Sequence, residues 1–391
     1  MFKHHIVKKL SPDIIDKKKI YLYSAGFNVD KKLKKTDRVD EEIDDLKMLV
    51  KKKVKIILIS HQGNYKKKNT IHLGFLKNYL KKKLNTKIKY IRKKSLVYSK
   101  NLSKLIKPGE ILFLPNTRFN KGEEKNSLDY GKKLSKLADI VVIGGFSKSH
   151  RYNSSNNAIL KFIPGLLSNG IFKQLIKLES WTKIPKQSVC ILGGEKKEKI
   201  TIGLKNFVKD YSYILPTGVV LNTLLKSKGF EIGRSLHHEK NEIKLSKLIL
   251  SNFKKKFLFP KTLLVYKSKK FNTLREIEIT KVEKNDKIGG FLLSDDTKKI
   301  LDLCVKKKGH ILLAGTPSLM KYNINEPTNN ILVYLKKNKD RSLLLGGDTI
   351  SDINFKGQIS TGGGSALYYL SKKVLPAVNT MYKNQKIFNV I

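Results

Sequence analysis

Arginine is scarce in this chain: of 81 basic residues in 391, only seven are arginine, at positions 38, 92, 118, 151, 234, 275 and 341, and the rest are lysine. Cysteine is scarcer still, with two residues, Cys190 and Cys304, which form neither a disulfide framework nor a metal-ligand spacing and fit a reducing compartment. No stretch approaches the roughly 18 consecutive apolar residues of a membrane helix, and the opening MFKHHIVKKLSPD lacks the continuous apolar segment of a secretory signal. A cytoplasmic protein with no membrane partner is therefore expected. Acidic residues are few as well, 32 against 81 basic, for a formal net charge of +49. Such a balance ordinarily attracts polyanions. Here the lysines are scattered along the whole chain with no basic tail or aromatic-interleaved stripe, and the abundance of Asn and Ile is what an AT-rich coding bias gives, so no nucleic-acid partner is expected. In a chain drifting toward lysine, arginine persists mainly where a planar five-donor fork must hold carboxylate or phosphate, which makes each of the seven informative.

What is present is clearest between Leu343 and Val378. Leu343, Leu344 and Leu345 predict a buried strand ending in Gly346-Gly347-Asp348-Thr349, and Gln358–Thr361 a second extended piece feeding Gly362-Gly363-Gly364 and a helix from about Ser365. Glycines let backbone N–H groups approach an anion closely, and the unpaired donors of the following helical turn point toward it. Asp348 adds a hard oxygen of the kind Mg²⁺ prefers, and Thr349 a hydroxyl.

The length suffices for two domains with proper cores. In the amino-terminal half, apolar strands at Ile20–Ser24, Ile56–Ser60, Lys87–Ile91, Ile111–Leu114 and Ile140–Ile143 alternate with helical segments around Glu41–Lys52, Ile71–Leu84 and Tyr130–Leu137, the pattern of a parallel sheet covered by helices. Ligands bind such sheets outside the strands' carboxyl ends. The residues that follow the strands include Asn28, His61, Arg118 and Arg151, with Arg38 leading into the first helix, a set suited to a small, multiply charged anion. The segment from Ile163 to Glu179 reads as a connector with an amphipathic helix. After Pro185 a second series follows, with strands at Val189–Leu192, Tyr211–Leu215, Leu263–Tyr266, Ile311–Leu313 and Leu343–Leu345, all five expected to end on one side.

The stretches FNV (27–29), ISHQG (59–63), NTRFNKGEEKN (116–126), FSKSHR (146–151), ILGGEK (191–196), LKSKGFEIGRSL (225–236), GGDT (346–349) and STGGG…KKVLP (360–376) resemble, in this order, those of phosphoglycerate kinases. The resemblance implies an α/β fold of two Rossmann-like, three-layer lobes with parallel sheets, hinged about a central cleft. Residues 1–179 would form the phosphoglycerate lobe, 180–375 the nucleotide lobe, and 376–391 a segment returning to the first. It implies a monomer that transfers a phosphoryl group between ATP or ADP and 3-phosphoglycerate with Mg²⁺. Substrate would be bound by Asn28, His61, Arg118 and Arg151, and nucleotide by Gly193, Gly194, Lys196, Gly347 and Thr349, with metal at Asp348. Arg38, Lys199 and Gly362, Gly363 and Gly364 would be catalytic. The turn GGEKKEK is one residue shorter than the family's, so either Lys197 or Lys199 could stand for its second lysine, with Lys199 preferred.

Several positions depart from that pattern. Ser24 and Gly26 stand where the family carries an arginine and an aspartate, Asn64 where it carries an arginine, Gly144 and Gly145 within its Asn-Asp-Ala-Phe, and Asn153 at a histidine. Around the nucleotide, Pro216-Thr217-Gly218 replaces a triple glycine and Leu313–Ser318 a Trp-Asn-Gly-Pro segment. These changes leave open a paralogue acting on a different carboxylate, or an inactive scaffold.

Overall fold

Short apolar runs become covered parallel strands here because both faces of each run are apolar. The structure, a computed structural model, describes residues 4–93, 97–267 and 274–390, without the side chains of His4, Lys321 and Asp348. By internal packing the chain divides into two compact units, one formed by the described residues of Met1–Ser180 and Lys373–Ile391, the other by those of Trp181–Lys372.

The first unit holds a six-stranded sheet of β1 (Ile20–Ser24), β2 (Lys55–Ile59), β3 (Ile88–Tyr90), β4 (Ile111–Phe113), β5 (Ile140–Ile143) and β6 (Gly165–Leu167), in the order β3-β4-β2-β1-β5-β6. Every pairing is parallel. Tyr21, Tyr23, Ile56, Leu58, Ile111 and Phe113 share one core with Leu46, Leu49, Leu76, Leu80 and Leu84 of the helices Ile43–Lys51 and Leu76–Leu84. The alternate residues Leu22, Ile57, Leu112 and Val141 are equally buried, so both faces of the sheet are covered. The carboxy-terminal helix Pro376–Ile387 is fastened to this unit by buried amides. Asn384 Oδ1 accepts from Gly165 N–H (2.8 Å), and its Nδ2 donates to Leu160 O and Ile163 O (2.6 and 2.8 Å). Gln385 accepts from Lys8 N–H (2.8 Å) and donates to Gly165 O (2.9 Å).

The second unit holds a five-stranded parallel sheet of β7 (Val189–Leu192), β8 (Tyr213–Pro216), β12 (Ile311–Ala314), β13 (Ser342–Leu345) and β14 (Gln358–Ser360), in the order β14-β13-β12-β7-β8. Two expectations are corrected. Leu263–Tyr266 does not join the parallel series: β9 (Thr262–Tyr266) lies between β10 (Arg275–Glu278) and β11 (Lys287–Phe291) in a separate antiparallel sheet. An apolar run reads alike in either setting, and its partners REIE and KIGGF carry too much charge or glycine to announce themselves. The segment from Ile163 is likewise more than a connector, since Gly165–Leu167 pairs with β5 before the Asn169–Glu179 helix starts at the Ser168 cap.

Candidate active site

In the first sheet the chain order turns back at the β1–β5 pair, with β2, β4 and β3 on one side of β1 and β5 and β6 on the other. Such a reversal is where open α/β sheets receive ligands. The strand ends there are tied together. Ala25 N–H donates to Ile59 O (2.9 Å), and Ser60 Oγ accepts from Phe27 N–H (2.9 Å) and donates to Ala25 O (3.2 Å). Arg38, on the short helix Asp37–Asp40, donates from Nη1 to Asn28 O at 2.9 Å.

Beyond β4 the buried Asn116 holds three segments with one carboxamide. Its Oδ1 accepts from Arg118 N–H (3.0 Å) and Gln62 N–H (3.1 Å), while Nδ2 donates to Gln62 O (2.7 Å) and Ile71 O (2.9 Å). This places Arg118, 3% exposed, beside the end of β2. Arg118 Nη1 donates to Gly63 O and Nε lies 3.5 Å from Glu124 Oε1. Nε and Nη2 are buried without a hydrogen-bond partner among the described residues. Unmet guanidinium donors at a strand end are what an anion would satisfy.

His61, also buried, is the point on which the cluster converges. Burial holds its imidazole well below the usual histidine range, and the positive charges of Arg118, Lys148, Arg151 and Arg38 push it further the same way. The three arginines singled out in the sequence thus act on one ring. Arg151 is exposed, with Nε 3.4 Å from His150 Nε2. Lys148 was not foreseen: it is buried and donates from Nζ to Ser24 Oγ at 2.6 Å. Asn64 supplies no charge here; it donates to Glu124 Oε1 (2.7 Å) and accepts from Lys67 N–H (3.0 Å).

The second sheet reverses between β7 and β12. Gly193 N–H donates to Ala314 O (3.0 Å), and a Cβ on Gly193 would stand 2.3 Å from Thr217 Oγ1. Gly315, at φ +114°, leaves no room either, since its Cβ would meet Gly193 O at 2.4 Å. The ends of β7 and β12 are therefore packed backbone to backbone, with the Thr217 hydroxyl after β8 close against Gly193. Lys199 opens a π-helical turn, Lys199–Leu204, of a kind frequent at functional sites, and donates from Nζ to Ala314 O (2.9 Å). Burial draws its ammonium down to about 8. Lys196 and Lys197 are exposed, so of the two lysines left open by the sequence Lys199 is the one at the strand-end edge.

The two carboxy-terminal glycine turns lie side by side. Gly346 N–H donates to Ser360 O (3.0 Å), and a Cβ on Gly363 would stand 3.7 Å from Gly346 Cα. Gly346 precedes the helix Gly347–Asp352, in which Thr349 is buried, and Gly364 begins the helix Gly364–Lys372. Space is open where Gly347 would carry a Cβ. The Asp348 side chain lies outside the described residues. Among the described residues no three His, Cys, Asp or Glu side chains cluster as a metal cage. A cation fits this turn only as Mg²⁺ commonly binds, through one or two protein oxygens together with substrate phosphates and water.

A family model described as phosphoglycerate kinase matches residues 13–373. The chain belongs to the phosphoglycerate kinase family. It is 30% identical over 392 residues to the phosphoglycerate kinase of Finegoldia magna, covering 95% of this chain and 98% of that one. It is 32% identical over 364 residues to that of Buchnera aphidicola subsp. Schizaphis graminum, covering 89% and 90%. Among solved structures, phosphoglycerate kinase from Pyrococcus horikoshii OT3 superposes with a TM-score of 0.74 at 21% identity, covering 94% of this chain and 97% of that one. The Coxiella burnetii phosphoglycerate kinase gives 0.72 at 21%, covering 93% and 96%. At that identity both likenesses concern the fold. Within this phosphoglycerate kinase fold, Asn28, Arg38, His61, Arg118 and Arg151 gather at the carboxyl edge of the first sheet. Gly193, Gly194, Lys196, Lys199, Gly347, Thr349 and Gly362 to Gly364 lie in the turns at the same edge of the second.

Proposed function

We propose that this kinase catalyses the reversible, Mg²⁺-dependent transfer of the γ-phosphoryl group of ATP to the carboxylate of 3-phosphoglycerate, a step of glycolysis in the cytoplasm, as a monomer. The observation that carries the reading is the buried His61 in the field of Arg118, Lys148, Arg151 and Arg38, next to two unmet Arg118 donors. A dianionic phosphate with a neighbouring carboxylate matches that concentration of charge. Arg118 offers Nε and Nη2 to the substrate phosphate, Arg151 and Asn28 complete its surround, and His61, neutral at physiological pH, contributes a hydrogen bond rather than a charge. Arg38 neutralises the reacting carboxylate. In the second unit Gly193, Gly194 and Lys196 receive nucleotide phosphates, and Gly362 to Gly364 present backbone N–H groups to the transferring phosphoryl group. Lys199 adds positive charge at the same edge. Mg²⁺, held by Asp348 and Thr349 with phosphate oxygens, would neutralise charge on the transferring group. The carboxylate oxygen attacks phosphorus in line as ADP leaves, with no covalent enzyme intermediate, so catalysis consists of positioning and charge neutralisation.

A second reading, a different carboxylate as acceptor, is favoured by one contact. A Cβ on Gly26 would stand 2.6 Å from Gly145 Cα, so the aspartate of the family pattern has no place there. Two experiments separate the readings. Calorimetry with Mg-ATP should show binding that Asp348→Ala weakens; no heat at millimolar Mg-ATP would remove both kinase readings. A coupled assay with Mg-ATP and either 3-phosphoglycerate or a panel of other carboxylates should show turnover with 3-phosphoglycerate. Nucleotide binding with turnover only on another carboxylate would establish the second reading.

A further inference from the structure

Among the described residues no lysine side chain in this lysine-rich chain is less exposed than Lys148, at 2%. It comes from the turn after β5 and hydrogen-bonds Ser24 Oγ at the end of β1 (2.6 Å), so its ammonium spans the strand pair at which the sheet reverses. Two glycines make this reach possible. Gly26 and Gly145 pack backbone to backbone, with Gly145 at φ +77°, and a Cβ on Gly145 would stand 3.0 Å from Lys148 Cε. An ammonium carries three donors, and the Ser24 hydroxyl is its one hydrogen-bond partner among the described residues. Glu123 and Glu42 act on it through space, and neither is hydrogen-bonded to it. Glu123 accepts from Ser155 N–H and Oγ (3.1 and 2.6 Å), and Glu42 from the Tyr23 hydroxyl. A buried ammonium with one neutral partner is costly. Its placement at the end of β1, beside the β2 strand end that leads into His61, nonetheless brings its charge to the ring on which Arg38, Arg118 and Arg151 also act.

We infer that Lys148 is a positioning residue for the acidic substrate: it fixes the Ser24 hydroxyl at the end of β1 and adds a fourth positive charge to the field of Arg38, Arg118 and Arg151 that holds the substrate's anionic groups. Because Ser24 Oγ accepts from Lys148, its own proton is free to be donated elsewhere. The inference rests on the reading that this strand-end cluster binds an acidic substrate.

The test compares Lys148→Met, close in shape and uncharged, with Lys148→Arg and with Lys148→Met/Ser24→Lys, which returns an ammonium to the other end of the same contact. Lys148→Met should raise KM for 3-phosphoglycerate about tenfold, the scale of one charge at the effective dielectric of a protein site. KM for ATP should stay unchanged and kcat should move less than about threefold. At least one charge-bearing variant should restore the affinity. A KM within about twofold of wild type overturns the inference, as does a parallel rise in KM for ATP or a loss that neither charge restores. If Lys148→Met does not fold, Ser24→Ala takes its place, with a KM rise of about threefold expected and an unchanged KM overturning the claim. If the wild type does not turn over 3-phosphoglycerate, the same variants are compared by their Kd for inorganic phosphate. Loss of phosphate affinity then sustains Lys148's role while the substrate reading falls, and a wild type that binds no phosphate overturns both.

Discussion

His61 shows how much of the site a single residue can reveal. Its neighbours Arg38, Arg118 and Arg151 were singled out in the sequence because arginine is rare in this chain, and because Arg118 and Arg151 follow strand ends while Arg38 leads into the first helix. Lys148, which acts on the same ring, was not, because one lysine among so many carries no signal until burial marks it. Arg118→Lys keeps the charge but loses the fork whose Nε and Nη2 are unmet, so steady-state kinetics should show KM for 3-phosphoglycerate rising by on the order of tenfold or more. An unchanged KM would mean that those donors face no substrate. Beside Lys148, burial pushes the Glu42 carboxyl up to about 8 from 4.5, with Asp45 adding to the shift and the Tyr23 hydrogen bond opposing it. The folded chain therefore holds a proton that the unfolded chain releases, and this group's contribution to stability is complete below about pH 4.5 and lost as pH rises through 8. Lys148, drawn down to about 8 by burial, works the other way at higher pH, since above 8 the folded form sheds a proton that the unfolded chain still keeps up to about 10.5. Denaturant titrations across this range should show the Glu42 slope in wild type and its loss in Glu42→Gln.

At the scale of elements, the strand–turn–helix units with glycines at their ends were the readable ones. The Gly346 and Gly362–Gly364 turns stand where the apolar runs predicted them, after β13 and β14. The pieces that went unread have a common cause. Gly165–Leu167 follows a proline and is only three residues long, and β10 is a charged edge strand, so neither shows the apolar run that marks a buried strand. Long-range closeness was also invisible, the contact of Gly26 with Gly145 above all, because these residues are over a hundred positions apart. That contact yields a prediction opposite to intuition. Gly26→Asp, which reinstates the family residue, should lower stability by about 1–3 kcal/mol through overpacking against backbone and should not improve KM for phosphoglycerate. A Tm equal to wild type together with a lower KM would contradict the packing argument.

For the molecule as a whole, the first unit is assembled from both ends of the chain. The helix Pro376–Ile387 brings Asn384 to Gly165, Leu160 and Ile163, so Asn384→Ala leaves one donor and two acceptors buried without their partner. Unfolding free energy should fall by about 2–4 kcal/mol, since each unsatisfied buried group costs about 1–3 kcal/mol and partial relaxation recovers some of it. A change below about 0.5 kcal/mol would mean that the helix does not fasten the unit. The function proposed for the whole chain depends on an acyl phosphate handing its phosphoryl group to ADP. The most direct measurement mixes purified protein with Mg-ADP and 1,3-bisphosphoglycerate and follows ATP formation. ATP should appear in proportion to enzyme and fall by at least tenfold in Asp348→Ala, whereas no ATP at millimolar substrates, from protein shown to be folded, would contradict the account.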